Sequence, residues 1–175
     1  MMGEICLRLF RKEDAPQLAE NFAKHEITDW LANVPDNYTL RDALDFITMR
    51  LAQSGGMLTF AIVDSQASDS LLGGIGTRPA PEEACKAAHV DGLLTIGYWV
   101  ASEHWGKGIA GKAVKQIIDR IKHASAPSQI GATVLVGNTA SIRVLEKAGF
   151  VRAAQAPMPH KGGFADSYVY VLQLS

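Results

Sequence analysis

The chain holds only two cysteines, Cys6 and Cys85, among its 175 residues. Two thiols do not make the disulfide framework of a small secreted domain, so a reduced, cytoplasmic protein is expected. Cys6 falls in a strand pattern and reads as a packing residue, and no metal site is expected. Long apolar runs are missing as well. No segment of about eighteen apolar residues exists, which excludes a membrane-spanning helix, and Met1 to Phe10 lacks the apolar region of a signal peptide. Charge of one sign is also scarce. With a net charge of −1 and no run of lysines or arginines, nothing points to a nucleic-acid partner. Repeats, low-complexity runs and linkers are absent too. Residues 1–175 therefore read as one domain, and a hydrophobic share of 47% suffices for a substantial core.

What is present is organised around Thr95 to Lys112. Thr95 to Ala101 is a run of β-branched and aromatic residues and reads as a buried strand. Ala110, Ala113, Val114, Ile117, Ile118 and Ile121 then recur at three- and four-residue steps, with Lys112, Lys115, Arg120 and Lys122 facing away, as on an amphipathic helix. Between strand and helix lies Trp105-Gly-Lys-Gly-Ile-Ala-Gly111. A glycine turn that feeds a helix offers unpaired N–H groups and the positive end of a helix dipole, which suit a phosphate. The turn lacks the P-loop pattern. Gly106, Gly108 and Gly111 satisfy the dinucleotide spacing formally, but no acidic residue follows about twenty residues on. A tight turn with no ligand is the structural alternative.

Taken in order, Ile5 to Phe10 reads as a first strand, Glu13 to Lys24 as an amphipathic helix, and Ile27 to Val34 as a short helical piece. Thr39 and Asp42 form a capping-box signature ahead of a helix whose expected buried stripe is Leu40, Leu44, Ile47 and Leu51, stopped by Ser54-Gly-Gly56. Met57 to Asp64 and Leu71 to Thr77 read as a hairpin joined by Ser65 to Ser70. Arg78 to Gly92 reads as an insertion, a mobile loop or a pocket wall with a helical turn at Glu82 to Ala88. Ile130 to Val136 is a further strand, Asn138 starts a short helix ended by Gly149, and Phe150 to Ala156 and Phe164 to Leu174 are two last strands joined by a loop from Pro157 to Gly163.

Two separated motifs carry a resemblance. They are Ile96-Gly-Tyr-Trp99 followed by Trp105-Gly-Lys-Gly-Ile-Ala110, and Asn138-Thr-Ala-Ser-Ile-Arg-Val-Leu-Glu-Lys-Ala-Gly-Phe150. Together they resemble the Gcn5-related N-acetyltransferase (GNAT) superfamily, and most closely its ribosomal-protein-alanine acetyltransferase-like (RimJ/RimL-like) branch, over nearly the whole chain. The resemblance implies an α+β fold: a mixed, mostly antiparallel sheet of about six to seven strands, about four flanking helices, and two splayed parallel strands forming an acetyl-CoA cleft.

The family's diphosphate loop aligns with Trp105, Gly108 and Ala110, and the resemblance implies that backbone amides from Gly106 through Ile109 to Gly111 hold the diphosphate, with Lys107 and Lys112 near the charge. By the same resemblance, the strand through Trp99 and Val100 pairs with the pantetheine arm, Asn138 hydrogen-bonds it, and the helix from Ser141 to Lys147 flanks it. Ser141 becomes the candidate for protonating the departing thiolate, or else a first-turn residue of a helix capped by Asn138. Many relatives carry Glu where this chain has Thr95, and threonine accepts no proton usefully at neutral pH. His104, Glu103, His160 and Asp166 are the substitutes as base, His104 foremost because it adjoins the glycine turn, and a water chain is another route. Tyr98 and Trp99 line an acceptor pocket or pack in the core. The expected activity is direct acetyl transfer from acetyl-CoA to a primary amine, either a protein N-terminus or a small molecule, by a monomer or homodimer. A non-catalytic acyl-CoA-binding or sensing module is the alternative. No cysteine lies in either motif, which argues against a covalent acetyl-enzyme.

Overall fold

The computed structural model describes residues 4–32, 34–52, 57–66, 70–124 and 127–174. The expected helix stop at Ser54-Gly-Gly56 and the centre of the Ser65 to Ser70 turn lie outside the described residues. In chain order the elements are β1 (Ile5–Arg8), α1 (Ala15–Phe22), α2 (His25–Thr28), α3 (Leu40–Ala52), β2 (Thr59–Asp64), β3 (Leu71–Pro79), α4 (Glu82–Ala88), β4 (Leu94–Val100), α5 (Ile109–His123), β5 (Gln129–Leu135), α6 (Thr139–Lys147), β6 (Val151–His160) and β7 (Gly163–Gln173).

The seven strands make one sheet in the order β1-β2-β3-β4-β5-β7-β6. Each neighbouring pair is antiparallel except β4 and β5. Helices cover both faces, so β2 is buried almost throughout and reads as a continuous apolar run rather than an alternating one. On one face α5 lays Ala113, Val114, Ile117 and Ile121 onto Ile62, Ile75, Ile96 and Ile130. On the other, Leu18 of α1 and Ile47 of α3 pack on Ala61 and Val63. Arg120 and Lys122 sit in the last turn of α5, where cations complement the helix dipole.

The N-terminus of α3 forms as the capping signature predicts: Asp42 N–H donates to Thr39 Oγ1 at 3.3 Å and Thr39 N–H to Asp42 Oδ2 at 2.8 Å. The Thr39 hydroxyl, which donates to Asp42 Oδ2, and then the Thr39 N–H hold the Asp42 carboxyl below its usual range. The start of α1 is anchored by Asp14, which receives two guanidinium bonds from Arg8 at 2.8 and 2.7 Å and the Arg11 N–H at 2.8 Å.

Four expectations need correction. Cys6 is exposed, because β1 turns Ile5 and Leu7 to the core and Cys6 to solvent. The buried stripe of α3 is Ala43 and Ile47, with Leu40 and Leu51 50% and 47% exposed. Leucines at the two ends of that helix overhang the sheet, while the small Ala43 lets α1 approach. The segment after Arg78 is not a mobile loop: the helical turn expected at Glu82 to Ala88 forms as α4, whose Ala84 packs against Met158 and Val169. Finally, Pro157 to His160 belongs to β6, and the β6–β7 hairpin turns on Lys161 and Gly162 alone, both with positive φ (46° and 76°). Prolines are tolerated there because β6 is an edge strand, where a missing N–H breaks no ladder.

Candidate active site

The two parallel strands touch only at their beginnings. Leu94 pairs with Ile130 and Thr95 with Gly131, and beyond these β4 continues along β3 while β5 continues along β7. The last contact demands glycine: a Cβ on Gly131 would stand 2.7 Å from Leu93 Cδ2. A cleft of about 750 Å³ opens where the strands diverge, and residues from both sheet faces line it. Among the described lining residues, none is Asp or Glu.

At one mouth lies the glycine turn. The Trp105 indole N–H donates to the Val100 carbonyl at 2.7 Å and ties the turn to the end of β4. Gly106 and Gly108 both take φ of 75°, Gly108 being the N-cap of α5. The first helical backbone bond, Lys112 N–H to the Gly108 carbonyl at 3.2 Å, leaves the amides of Ile109, Ala110 and Gly111 ahead of it. A Cβ built on Gly106, Gly108 or Gly111 would meet no atom within 4 Å, so the cradle is open and would accept a phosphate.

The expected lysines do not join this cradle. Lys107, Lys112 and Lys147 lie outside the cleft lining and are exposed. Lys107 Nζ donates to the Glu103 carbonyl at 2.8 Å and to His104 Nδ1 at 3.3 Å, folding back along its own turn. Lys147 sits six residues beyond Ser141 on α6, roughly 9 Å further along the axis.

At the centre of the cleft, Asn138 caps α6, its Oδ1 accepting the Ser141 N–H at 3.1 Å. Strand parity sends Tyr98 to this face, and its hydroxyl lies 2.8 Å from Ser141 Oγ and 3.3 Å from the Ser141 carbonyl. Burial pushes the Tyr98 phenol up to about 12, partly offset by the Ser141 bond, so the pair keeps its protons at neutral pH. Tyr98 thus joins the predicted site residues Asn138 and Ser141. Its signal was the alternation Ile96, Tyr98, Val100 against Thr95, Gly97, Trp99.

Trp99 faces the other way. Its ring lies over Gly74, where a Cβ would come within 2.5 Å of Nε1, and meets Phe22 edge-on at 4.8 Å between centroids. Thr95 is 1% exposed and donates its hydroxyl to the Arg78 carbonyl at 3.1 Å, so the position is structural. Of the named proton acceptors, His104 and His160 line the cleft; Glu103 is exposed and pairs with Lys24 at 3.4 Å, and Asp166 is also exposed. Among the described residues, no cluster of His, Cys, Asp or Glu is placed to hold a metal, and no helix is long and apolar enough to cross a membrane.

Splayed parallel strands with a glycine turn at their mouth define a class. The chain matches the acetyltransferase (GNAT) domain family over residues 4–151 and belongs to that family. It is 29% identical to an uncharacterized N-acetyltransferase, p20, of Bacillus licheniformis, over 96% of this chain and 92% of that one. Mycobacterium smegmatis RimJ, solved with CoA-disulfide, shares the fold at a TM-score of 0.81 and 23% identity, covering 98% of this chain and 83% of that one. The protein yncA of Salmonella typhimurium, solved with acetyl-CoA, superposes at 0.71 with 21% identity, covering 98% and 94%.

Proposed function

We propose that this acetyltransferase binds acetyl-CoA between β4 and β5 and passes the acetyl group directly to a primary amine. The observation that carries this is the open glycine cradle at one mouth of a cleft that also holds the Tyr98–Ser141 pair. Bound acetyl-CoA supplies an activated acyl carbon: the amine nitrogen bonds to it as the carbon–sulfur bond breaks, sulfur gaining a proton and nitrogen losing one. The amides of Ile109 to Gly111 hold the diphosphate through hydrogen bonds and the α5 dipole. Asn138, its Oδ1 occupied by the α6 cap, offers its amide N–H₂ to the pantetheine arm. Tyr98 and Ser141 deliver a hydrogen bond or a proton to the leaving sulfur, a role suited to a phenol still protonated at neutral pH.

The proton leaving nitrogen goes to a histidine. His104 Nδ1 lies 3.3 Å from the Lys107 Nζ, a positive charge that opposes the arrival of a proton on that ring. His160, at the end of β6 on the cleft wall, is the better base. An acceptor screen of amines and N-terminal peptides, reading CoA thiol release, tests the proposal. Turnover that falls in Tyr98→Phe and Ser141→Ala supports it. CoA binding with no thiol release across the panel would instead favour a non-catalytic acyl-CoA-binding module.

A further inference from the structure

The half of the cleft opposite α5 and α6 carries chemistry that donor binding does not use. On that face the register sets Gly76 beside Gly97 and Arg78 beside Thr95. A Cβ on Gly97 would meet nothing within 4 Å, so the floor is open there, while one on Gly76 would stand 2.7 Å from the Leu58 carbonyl oxygen. Arg78 stands at the end of this floor, and Arg50 of α3 lines the same cleft, its guanidinium 5.1 Å from the centre of the Phe46 ring. Burial, and then the like charge of Arg50, lower the Arg78 pKa. Two guanidiniums that line one cleft with no acid among its described lining residues repel each other. An anion that both can grip removes that cost, since guanidinium forks match carboxylate and phosphate.

We propose that the acceptor of this acetyltransferase is an amine that also bears an anionic group, a carboxylate or a phosphate, held by Arg78 and Arg50 at the end of the Gly76–Gly97 floor. The proposal rests on the acetyl-transfer reading above and narrows its acceptor. It disfavours polyamines and other polycations, whose ammonium groups would face the two arginines. Phe22, Trp30 and Phe46 on the same wall give an apolar or aromatic substituent a surface to lie on.

The test is a panel of matched amines: each common amino acid beside its carboxamide, phosphoethanolamine beside ethanolamine, and spermidine. Thiol release is read as kcat/KM, and binding separately as the rise in melting temperature of the CoA-saturated protein. The expected result is at least a tenfold preference for the anionic member of a pair, the amino-acid and phosphoethanolamine arms distinguishing carboxylate from phosphate. Arg78→Gln should erase that preference through KM while leaving the KM for acetyl-CoA unchanged, and Arg78→Lys should restore part of it. Equal rates on carboxamides or spermidine would overturn the anion site and leave the transferase reading standing. Melting shifts confined to anionic amines and lost in Arg78→Gln, without thiol release, would overturn the transferase reading and keep the anion site. Neither shift nor release with any anionic amine would overturn the proposal.

Discussion

Gly108→Ala separates backbone strain from ligand binding because the structure contains its own control. Gly108 and Gly92 both have left-handed φ, 75° and 62°, and an added Cβ meets nothing within 4 Å at either. Alanine at either position therefore costs about 1–2 kcal/mol of backbone strain with no packing loss. At about 2–4 °C per kcal/mol for a chain of this size, both variants should melt roughly 2–8 °C lower. Only Gly108 lines the cleft and caps α5. There the methyl group stands in the phosphate cradle and the turn must shift, forfeiting at least one charge-assisted hydrogen bond of about 1.5–3 kcal/mol. CoA affinity, measured by isothermal titration, should fall about ten- to a hundredfold in Gly108→Ala and not change in Gly92→Ala. Equal CoA affinity in the two variants would refute the diphosphate site.

Tyr98→Phe should lower kcat by about a hundredfold or more with little change in acetyl-CoA KM, and His160→Ala should lower kcat further than His104→Ala does. Ile117→Ala empties a fully buried position under α5 and should cost about 2–5 kcal/mol, read as a lower urea midpoint at unchanged m-value. The hairpin tip is held to the α2–α3 segment by Lys161, which donates to Asp29 Oδ1 at 2.7 Å and whose backbone N–H donates to the Ala32 carbonyl at 3.0 Å. The bond from Lys161 lowers the Asp29 pKa below 3.8 and raises that of Lys161 above 10.5. The contact is therefore complete between those values, lost as pH falls through the lowered carboxyl value, and lost as pH rises through the raised amine value. Protection factors of the amides at residues 160–163 should fall at both extremes, and Asp29→Asn combined with Asp36→Asn, the second carboxylate within 3.6 Å of Lys161, should abolish that dependence.

Motif spacing made the donor half of the site legible, and the acceptor half was not. The glycine turn, the Asn138 cap and the α5 stripe are local patterns, each readable within about fifteen residues. Local patterns gave the order of elements as well, and the family resemblance added the splayed strands. Tyr98 needed one further fact, which face β4 turns to α6, and strand alternation contains it once Ile96 is placed in the core. Arg78 is hidden because Arg50, which shares its end of the cleft, is twenty-eight positions earlier on a separate helix, and no local pattern joins the two. The last hairpin was hidden because Pro157 and Pro159 read as loop; only sheet order, a long-range property, makes β6 an edge where they fit. Lys147, which the same motif suggests, stands six helical positions beyond Ser141 and outside the cleft lining.

Direct transfer is tested most sharply by incubating the protein with acetyl-CoA labelled in its acetyl group, first alone and then with an accepted amine. The structure predicts no label on the protein before the amine is added, then one thiol released for each amide formed. Label held covalently by the protein, or amide formed without stoichiometric thiol, would contradict it.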